Sequence, residues 1–462
     1  MRTRPAIPAG PYLVVGLARS GAAAALALRA RGEQVVGLDA GSPPGTAALE
    51  AAGVDLYLDD RDGIALLDRA GAIVKSPGVP AGAPAIAAAR ERGIPVLGEL
   101  ELAWRLLSND FVAVTGTNGK TTTVELVGHI HREAGLPVAV AGNVGTALSS
   151  LIGELEAEAT VVCEASSFQL EDTLEFAPEA AVLLNITPDH LDRHGTLEAY
   201  AAAKLEAFAR QAQGDVAVFP ADLGERIEWA GAAAIPGNAR RVEFGWEAGA
   251  ELFELDGELW WDGRALIALE QMRLRGRHNV ENAMAAAVVC LARGIEPAAV
   301  RAGLASFPGV AHRLEEIAER EGVLYVNDSK ATNVASTLVA LEAFAGRPLH
   351  LILGGQGKGQ DFTSLRGPVS RACAGVYLIG EDAATIATAL TNIAPAVLEC
   401  GELERALAAA TQAAACDPDA VSGPGDAGPV VLLSPACASF DQFADFEARG
   451  EHFRDLVEKL QG

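Results

Sequence analysis

The sequence predicts an α/β fold in three domains. The chain has 462 residues, half of them hydrophobic, enough material for about three separate cores. Short apolar runs recur along it, and each is followed by a turn and a helical stretch. That alternation gives parallel sheets with right-handed crossovers. No short internal repeat is present, so the segments 1–108, 109–308 and 309–462 read as separate α/β units.

The first segment opens with a strand over Tyr12–Val15. The turn Gly16-Leu17-Ala18-Arg19-Ser20-Gly21 leads into a helix over Ala22–Arg31, and a strand over Gln34–Leu38 ends at Asp39. A further strand begins at Ala72 and ends in Lys75-Ser76-Pro77-Gly78. Pro84–Arg92 is helical, and Val96 starts the next strand. Asp39 lies eighteen residues beyond Gly21, the layout of a Rossmann-like dinucleotide fingerprint. The middle glycine of that fingerprint is replaced by Ala18, so the backbone cannot approach a pyrophosphate as closely. An NAD-dependent dehydrogenase is therefore disfavoured, while one nucleotide diphosphate at the helix N-terminus fits. Arg2 and Arg4 precede this apolar stretch as in a signal peptide. Arg19, Arg29 and Arg31 interrupt it, and strand, glycine turn and helix is the better reading.

In the second segment, strands fall at Phe111–Thr115, Thr160–Glu164 and Ala181–Asn185. A turn-rich, β-rich stretch covers about 215–275, and a helix spans Val280–Arg293. The third, again Rossmann-like, has strands at Val323–Asn327, Leu349–Gly354, Gly375–Gly380 and Val430–Ser434. The Gly/Pro-rich stretch 422–429 is a loop.

The net charge of −25 excludes nucleic acid and anionic membrane as partners, because their phosphates would repel the chain. The six cysteines are scattered with no Cys-x-x-Cys pair, which reads as a reduced intracellular protein. No run of about 18 uncharged apolar residues marks a membrane span.

The chemistry concentrates at strand ends, where open α/β sheets bind ligands. After the strand ending at Thr115 comes Gly116-Thr117-Asn118-Gly119-Lys120-Thr121-Thr122. Such a run turns backbone N–H groups toward phosphates at a helix N-terminus. Lys120 reaches the outer phosphates and the Thr121 hydroxyl suits Mg²⁺. The general P-loop pattern wants a glycine at position 114, where Val114 stands. Glu164 emerges from a buried strand, as a metal carboxylate does, or as an acid paired with a lysine. Asp189 and His190 follow another strand and suit metal ligation or orientation of a reacting group. His194 and Asp192 read as structural. Lys204 alone reads as a solvated helix lysine. Asn279 and Asn282 share a helix face and suit an adenine or a backbone segment equally. Ser439 reads as a helix N-cap.

These motifs resemble the ATP-dependent Mur ligases of peptidoglycan synthesis, in collinear order over nearly the whole chain. The resemblance rests on 116–122, Glu164-Ala-Ser-Ser-Phe-Gln169, Asn185-Ile-Thr-Pro-Asp-His190, Gly276-Arg-His-Asn279, Asn327-Asp-Ser-Lys-Ala-Thr-Asn333, Gly354-Gly-Gln-Gly-Lys358 and Ser434-Pro-Ala-Cys-Ala-Ser439. It implies a central P-loop ATPase domain and a monomeric cytoplasmic ligase. The reaction implied is addition of D-glutamate to UDP-N-acetylmuramoyl-L-alanine through an acyl phosphate. It gives Lys120 and Thr121 to ATP and Mg²⁺, and Glu164 and His190 to two metal sites. Lys204 becomes a carbamylated lysine that joins the second metal site. Asn279, Asn282, Arg313 and Asp328 fall to the nucleotide. Arg19, Ser20, Ser76 and Asn143 fall to the UDP substrate, and Thr332, Lys358, Ser439 and Phe440 to the amino acid. Three departures stand out: Ala40-Gly41 replace a polar pair, Phe440 stands where leucine is common, and the spacer after position 410 is long. An L-glutamate-adding variant and a folylpolyglutamate-synthase-like ligase remain as alternatives.

Overall fold

The computed structural model describes residues 2–226, 235–274, 276–357, 359–416 and 428–460. The chain forms two compact units, Met1–Arg273 with His278–Phe307, and Leu274–Arg277 with Pro308–Gly462.

The first unit holds two sheets. One is built from β1 (Tyr12–Val15), β2 (Val35–Leu38), β3 (Asp55–Tyr57), β4 (Ala72–Lys75) and β5 (Val96–Gly98). All its pairings are parallel, in the Rossmann order β3-β2-β1-β4-β5. Helices cover both faces, so β1, β2 and β4 are buried throughout and read as apolar runs. Leu13, Val15 and Ile73 feed one core, and Tyr12, Val14 and Val74 feed the other. The first helix begins at Arg19, three residues before its expected start, because Ala18 already holds the extended N-cap geometry.

The second sheet has nine strands: β6 (Phe111–Thr115), β7 (Val138–Gly142), β8 (Thr160–Glu164), β9 (Ala180–Leu183), β10 (Val216–Pro220), β11 (Arg240–Gly245), β12 (Leu252–Leu255), β13 (Glu258–Trp261) and β14 (Arg264–Ala268). Their order is β14-β13-β12-β11-β10-β9-β6-β8-β7. The expected β-rich stretch supplies β10–β14: β10, β11 and β12 pair in parallel, and β12, β13 and β14 form an antiparallel end. Its two hairpins turn at Asp256-Gly257 and Asp262-Gly263, all four residues at positive φ, the backbone of a two-residue type I′ turn.

The second unit carries β15 (Glu315–Arg320), β16 (Val323–Asn327), β17 (Leu349–Gly354), β18 (Cys373–Ile379), β19 (Ala396–Gly401) and β20 (Val430–Leu433), in the order β15-β16-β20-β17-β18-β19. β15 and β19 were not foreseen. Both are edge strands with largely exposed sequences, and the charged run of β15 is one way in which sheets protect their edges. Ser439 is not a helix N-cap. Its carbonyl accepts the N–H groups of Gln442 and Phe443 in a closed turn, and Asp445 caps the helix Phe446–Lys459 instead. No helix among the described residues is long and apolar enough to cross a membrane. The 422–427 part of the Gly/Pro-rich loop, Arg275 and Lys358 lie outside the described residues.

Candidate functional site

β6 runs through Val114 to Thr115, so the turn that follows spans only Gly116–Gly119 before the helix Lys120–Glu133. The departure from the general pattern at Val114 thus reflects a shorter loop. Asn185, just beyond β9, fixes that loop. Its Oδ1 accepts the Asn118 N–H at 2.9 Å, its Nδ2 donates to the Asn118 carbonyl at 3.2 Å, and its own carbonyl accepts the Thr117 N–H at 3.0 Å. Lys120 Nζ curls back to the Gly116 and Thr117 carbonyls, both at 2.9 Å. Gly119 has φ +87°, and a Cβ there would lie 2.1 Å from Asn282 Oδ1. Gly119→Ala therefore combines left-handed strain with displacement of Asn282. It is expected to raise KM for ATP about tenfold, read from initial rates against ATP concentration.

Glu164 closes β8 and is buried. Its Oε2 accepts the Thr121 hydroxyl at 2.8 Å and its Oε1 accepts the Asn143 amide at 3.1 Å. Its partners are thus a hydroxyl and an amide, and these oxygens suit a hard cation that keeps waters and phosphate ligands, as Mg²⁺ does. Asn279 and Asn282, both buried in the helix Arg277–Ala292, are linked at 3.3 Å. Asn282 packs on the loop at Gly119.

Lys204 overturns its reading as a solvated lysine. The helix Leu197–Ala209 buries it, with Nζ 2.8 Å from the Gly116 carbonyl and 4.3 Å from the Tyr200 ring centre. One carbonyl thus accepts from two ammonium groups. Burial pushes the Lys204 pKa down to about 7; the neighbouring Lys120 charge adds to this and Asp189 opposes it. His190 is exposed and left-handed (φ 52°), 3.5 Å from Asp189 and with its ring 4.9 Å from Phe168. His194 stacks on Phe168 and meets the Ser167 hydroxyl at 3.0 Å, a packing role, as expected.

On the first sheet, Arg19 donates to the Asn143 carbonyl at 3.0 Å. Ser20 is half-buried on the same helix, and Ser76 is buried at the end of β4. Asp39 spends its carboxylate on the chain itself: it accepts the Leu17 N–H at 2.6 Å and the Gly41 N–H at 2.9 Å, holding the glycine turn.

In the second unit, Asp328 follows β16 and accepts the Ser434 hydroxyl at 2.7 Å and the Leu314 N–H at 3.2 Å. Burial raises its pKa to about 7, against those bonds and the charges of Arg313 and Arg449. The Thr332 N–H reaches the Lys330 carbonyl at 2.9 Å. Ser439 is buried, whereas Phe440 is 62% exposed.

Three domain families match in sequence order. They are a Mur ligase MurD-like N-terminal domain over 11–98, a Mur ligase middle domain over 114–290 and a Mur ligase glutamate ligase domain over 312–437. A UDP-N-acetylmuramoylalanine-D-glutamate ligase of Anaeromyxobacter dehalogenans is 45% identical, covering 96% of each chain. The enzyme of the same name from Acidobacterium capsulatum is 42% identical, covering 96% of this chain and 95% of its own. The chain belongs to the Mur ligase family. In fold it is similar to MurC of Thermotoga maritima (TM-score 0.58, 19% identity, 98% and 100% covered) and to MurF of Acinetobacter baumannii (TM-score 0.60, 17% identity, 97% and 93% covered).

Two residues of this Mur ligase were not legible as site residues. The Tyr200 hydroxyl reaches Thr117 Oγ1 at 3.3 Å, and no spacing announces it. Arg449 is buried and donates to Ser329 Oγ at 2.9 Å, the Ser329 carbonyl at 2.8 Å and the Cys437 carbonyl at 3.1 Å. It joins the loops after β16 and β20. A signal existed: Arg449, Phe453 and Val457 fall at i, i+4 and i+8, putting an arginine in the apolar stripe of its helix.

Proposed function

We propose that this Mur ligase uses ATP to join D-glutamate to the alanyl carboxylate of UDP-N-acetylmuramoyl-L-alanine, in the cytoplasm, as a monomer of three domains divided near residues 108 and 308. The observation that carries the reading is the set of groups around the 116–119 loop. Two lysines share one carbonyl, a threonine hydroxyl meets a carboxylate, and an asparagine pair packs at the loop's end. The choice of glutamate is supported by relatives named for that reaction at 45% and 42% identity over nearly their whole length. The engagement of Asp39 by its own turn removes the main support for a dinucleotide reading.

In this reading Gly116–Thr122 cradle the phosphates, and Lys120 balances charge on their outer oxygens. Thr121 and Glu164 would hold one Mg²⁺. His190 and Lys204, the latter as its carbamate, would hold a second. These ions would supply charge neutralisation at the phosphate oxygens. Asn279, Asn282, Arg313 and Asp328 serve the nucleotide. Arg19, Ser20, Ser76 and Asn143 serve the UDP substrate, and Thr332, Lys358, Ser439 and Phe440 the amino acid. A substrate carboxylate oxygen attacks the γ-phosphorus of ATP, the bond to the bridging oxygen breaks, and ADP leaves. The glutamate nitrogen then attacks the acyl carbon, phosphate departs, and the amine gives up a proton.

Phosphate release should require ATP, the UDP-sugar substrate and D-glutamate together, with L-glutamate at least about 100-fold poorer in kcat/KM (roughly 2.7 kcal/mol). Equal rates with both isomers would point to a different amino-acid specificity. Release independent of the UDP-sugar would remove the ligase assignment.

A further inference from the structure

The segment His190–His194 carries an arginine that the mechanism leaves unused. Arg193 Nη1 donates to the Pro77 carbonyl at 3.1 Å, and Nη2 donates to the Val79 carbonyl at 3.3 Å and to Glu171 Oε1 at 3.0 Å. The guanidinium lies 4.0 Å from the ring centre of Phe168. That ring stacks on His194 and lies 4.9 Å from His190. Pro77 and Val79 belong to the turn after β4, which the Val79 N–H closes on the Ser76 carbonyl at 3.0 Å. The same turn packs on the glycine turn: a Cβ on Gly16 would lie 2.7 Å from Val79 Cγ2 and 2.9 Å from Ser76 Cβ. One planar fork thus grips the Ser76–Val79 turn of the first sheet and the Phe168–Glu171 segment of the second. The same side chain belongs to the segment that contains His190.

We propose that Arg193 is a positioning residue that sets the separation between the cradle for the UDP end of the substrate and the residues that meet its carboxyl end. This rests on the ligase reading above. A substrate held at both ends reacts only if the two grips are correctly spaced, and a shift of about 1 Å costs on the order of 100-fold in rate. Cohesion between the two sheets does not depend on Arg193 alone. Lys75, fully buried, pairs with Asp172, and Arg90 meets the same carboxylate at 3.1 Å. What Arg193 adds is a bidentate hold on two backbone carbonyls, which a lysine ammonium cannot reproduce as a fork.

The test uses the full chain with Arg193→Met and Arg193→Lys. For the Met variant, kcat is expected to fall about 30-fold, with KM for ATP and Ki for free UDP within about twofold of wild type. The Lys variant, which keeps the charge opposite Glu171, should fall between. Backbone hydrogen exchange should accelerate in both 76–79 and 190–194. Three results would each overturn the proposal: an unchanged kcat, a parallel loss in ATP and UDP affinity with falling kcat (a purely structural role), or unchanged exchange at 76–79. If wild type releases no phosphate with the three substrates, the ligase reading fails. The exchange pattern and the UDP titration then still decide on Arg193. Should the Met variant fail to fold, the Lys variant carries the same readouts.

Discussion

Lys120→Ala is expected to lower kcat for ATP-dependent ligation by about 10³-fold or more while leaving the chain folded. The side chain stands at the first turn of its helix, directed back over the 116–119 loop. A triphosphate in that loop would gain charge on its outer oxygens as the γ-phosphoryl group transfers, and this ammonium is the nearest fixed cation the loop itself provides. The structural cost of removing it is small. Gly116 keeps a donor in Lys204 at 2.8 Å, and the Thr117 carbonyl belongs to a residue that is not buried. The loss is therefore on the order of 1 kcal/mol, a shift of a few degrees in a thermal scan. A second effect follows from the shared carbonyl. The Lys120 charge helps to depress the Lys204 pKa, so removing it should move Lys204 back toward the ordinary lysine value. Phosphate-release kinetics beside calorimetry check both claims. A folded Lys120→Ala protein within tenfold of wild-type kcat would remove the loop from the chemistry.

The parts of this fold that were legible in the sequence are those where local and global preferences agree. Interior strands are buried on both faces, so Phe111–Thr115 or Val323–Asn327 announce themselves as apolar runs whose ends match those observed. Edge strands are selected by the partner they pair with, here the neighbouring arm of a hairpin, rather than by an apolar run of their own. Glu315–Arg320 has no apolar run and forms only because Val323–Asn327 offers it a partner. The site divides in the same way. The glycine loop, Glu164 and the two asparagines were readable because backbone turns and strand ends leave local traces. Burial of a lysine does not: Lys204 sits in an alanine-rich helix whose sequence is indifferent to whether its ammonium meets water or a loop carbonyl 88 residues away. Arg193 was invisible as a link for the same reason, since its partners at Pro77 and Val79 lie more than a hundred residues upstream.

Lys204 carries the other large effect. Lys204→Met is expected to lower kcat by about 10²-fold to 10³-fold, and wild-type activity is expected to depend on CO₂. A carbamate forms when a neutral amine attacks CO₂ and releases a proton, so the fraction of neutral amine decides whether it forms. With a pKa of about 7, about half the amine is neutral at that pH, roughly a tenth one unit below and nine-tenths one unit above. An ordinary lysine would be only about one part in 10³ neutral there. In CO₂-limited buffer the activity should therefore rise from pH 6 to pH 8 and recover on adding bicarbonate. The stability sign follows from the same numbers. The unfolded chain keeps this proton up to the ordinary lysine pKa, while the folded, unmodified chain releases it near 7. Stability should increase with pH between those two values, and the Met variant should lack that part of the slope. Carbamylation also exchanges a buried cation beside Lys120 for an anion, turning a repulsion into an attraction. Labelled CO₂ should give a carbamate carbon signal in wild type that is absent in the Met variant. A Met variant within tenfold of wild-type kcat, or a wild type without that signal and indifferent to CO₂, would leave Lys204 as a buried amine that only anchors the Gly116 carbonyl.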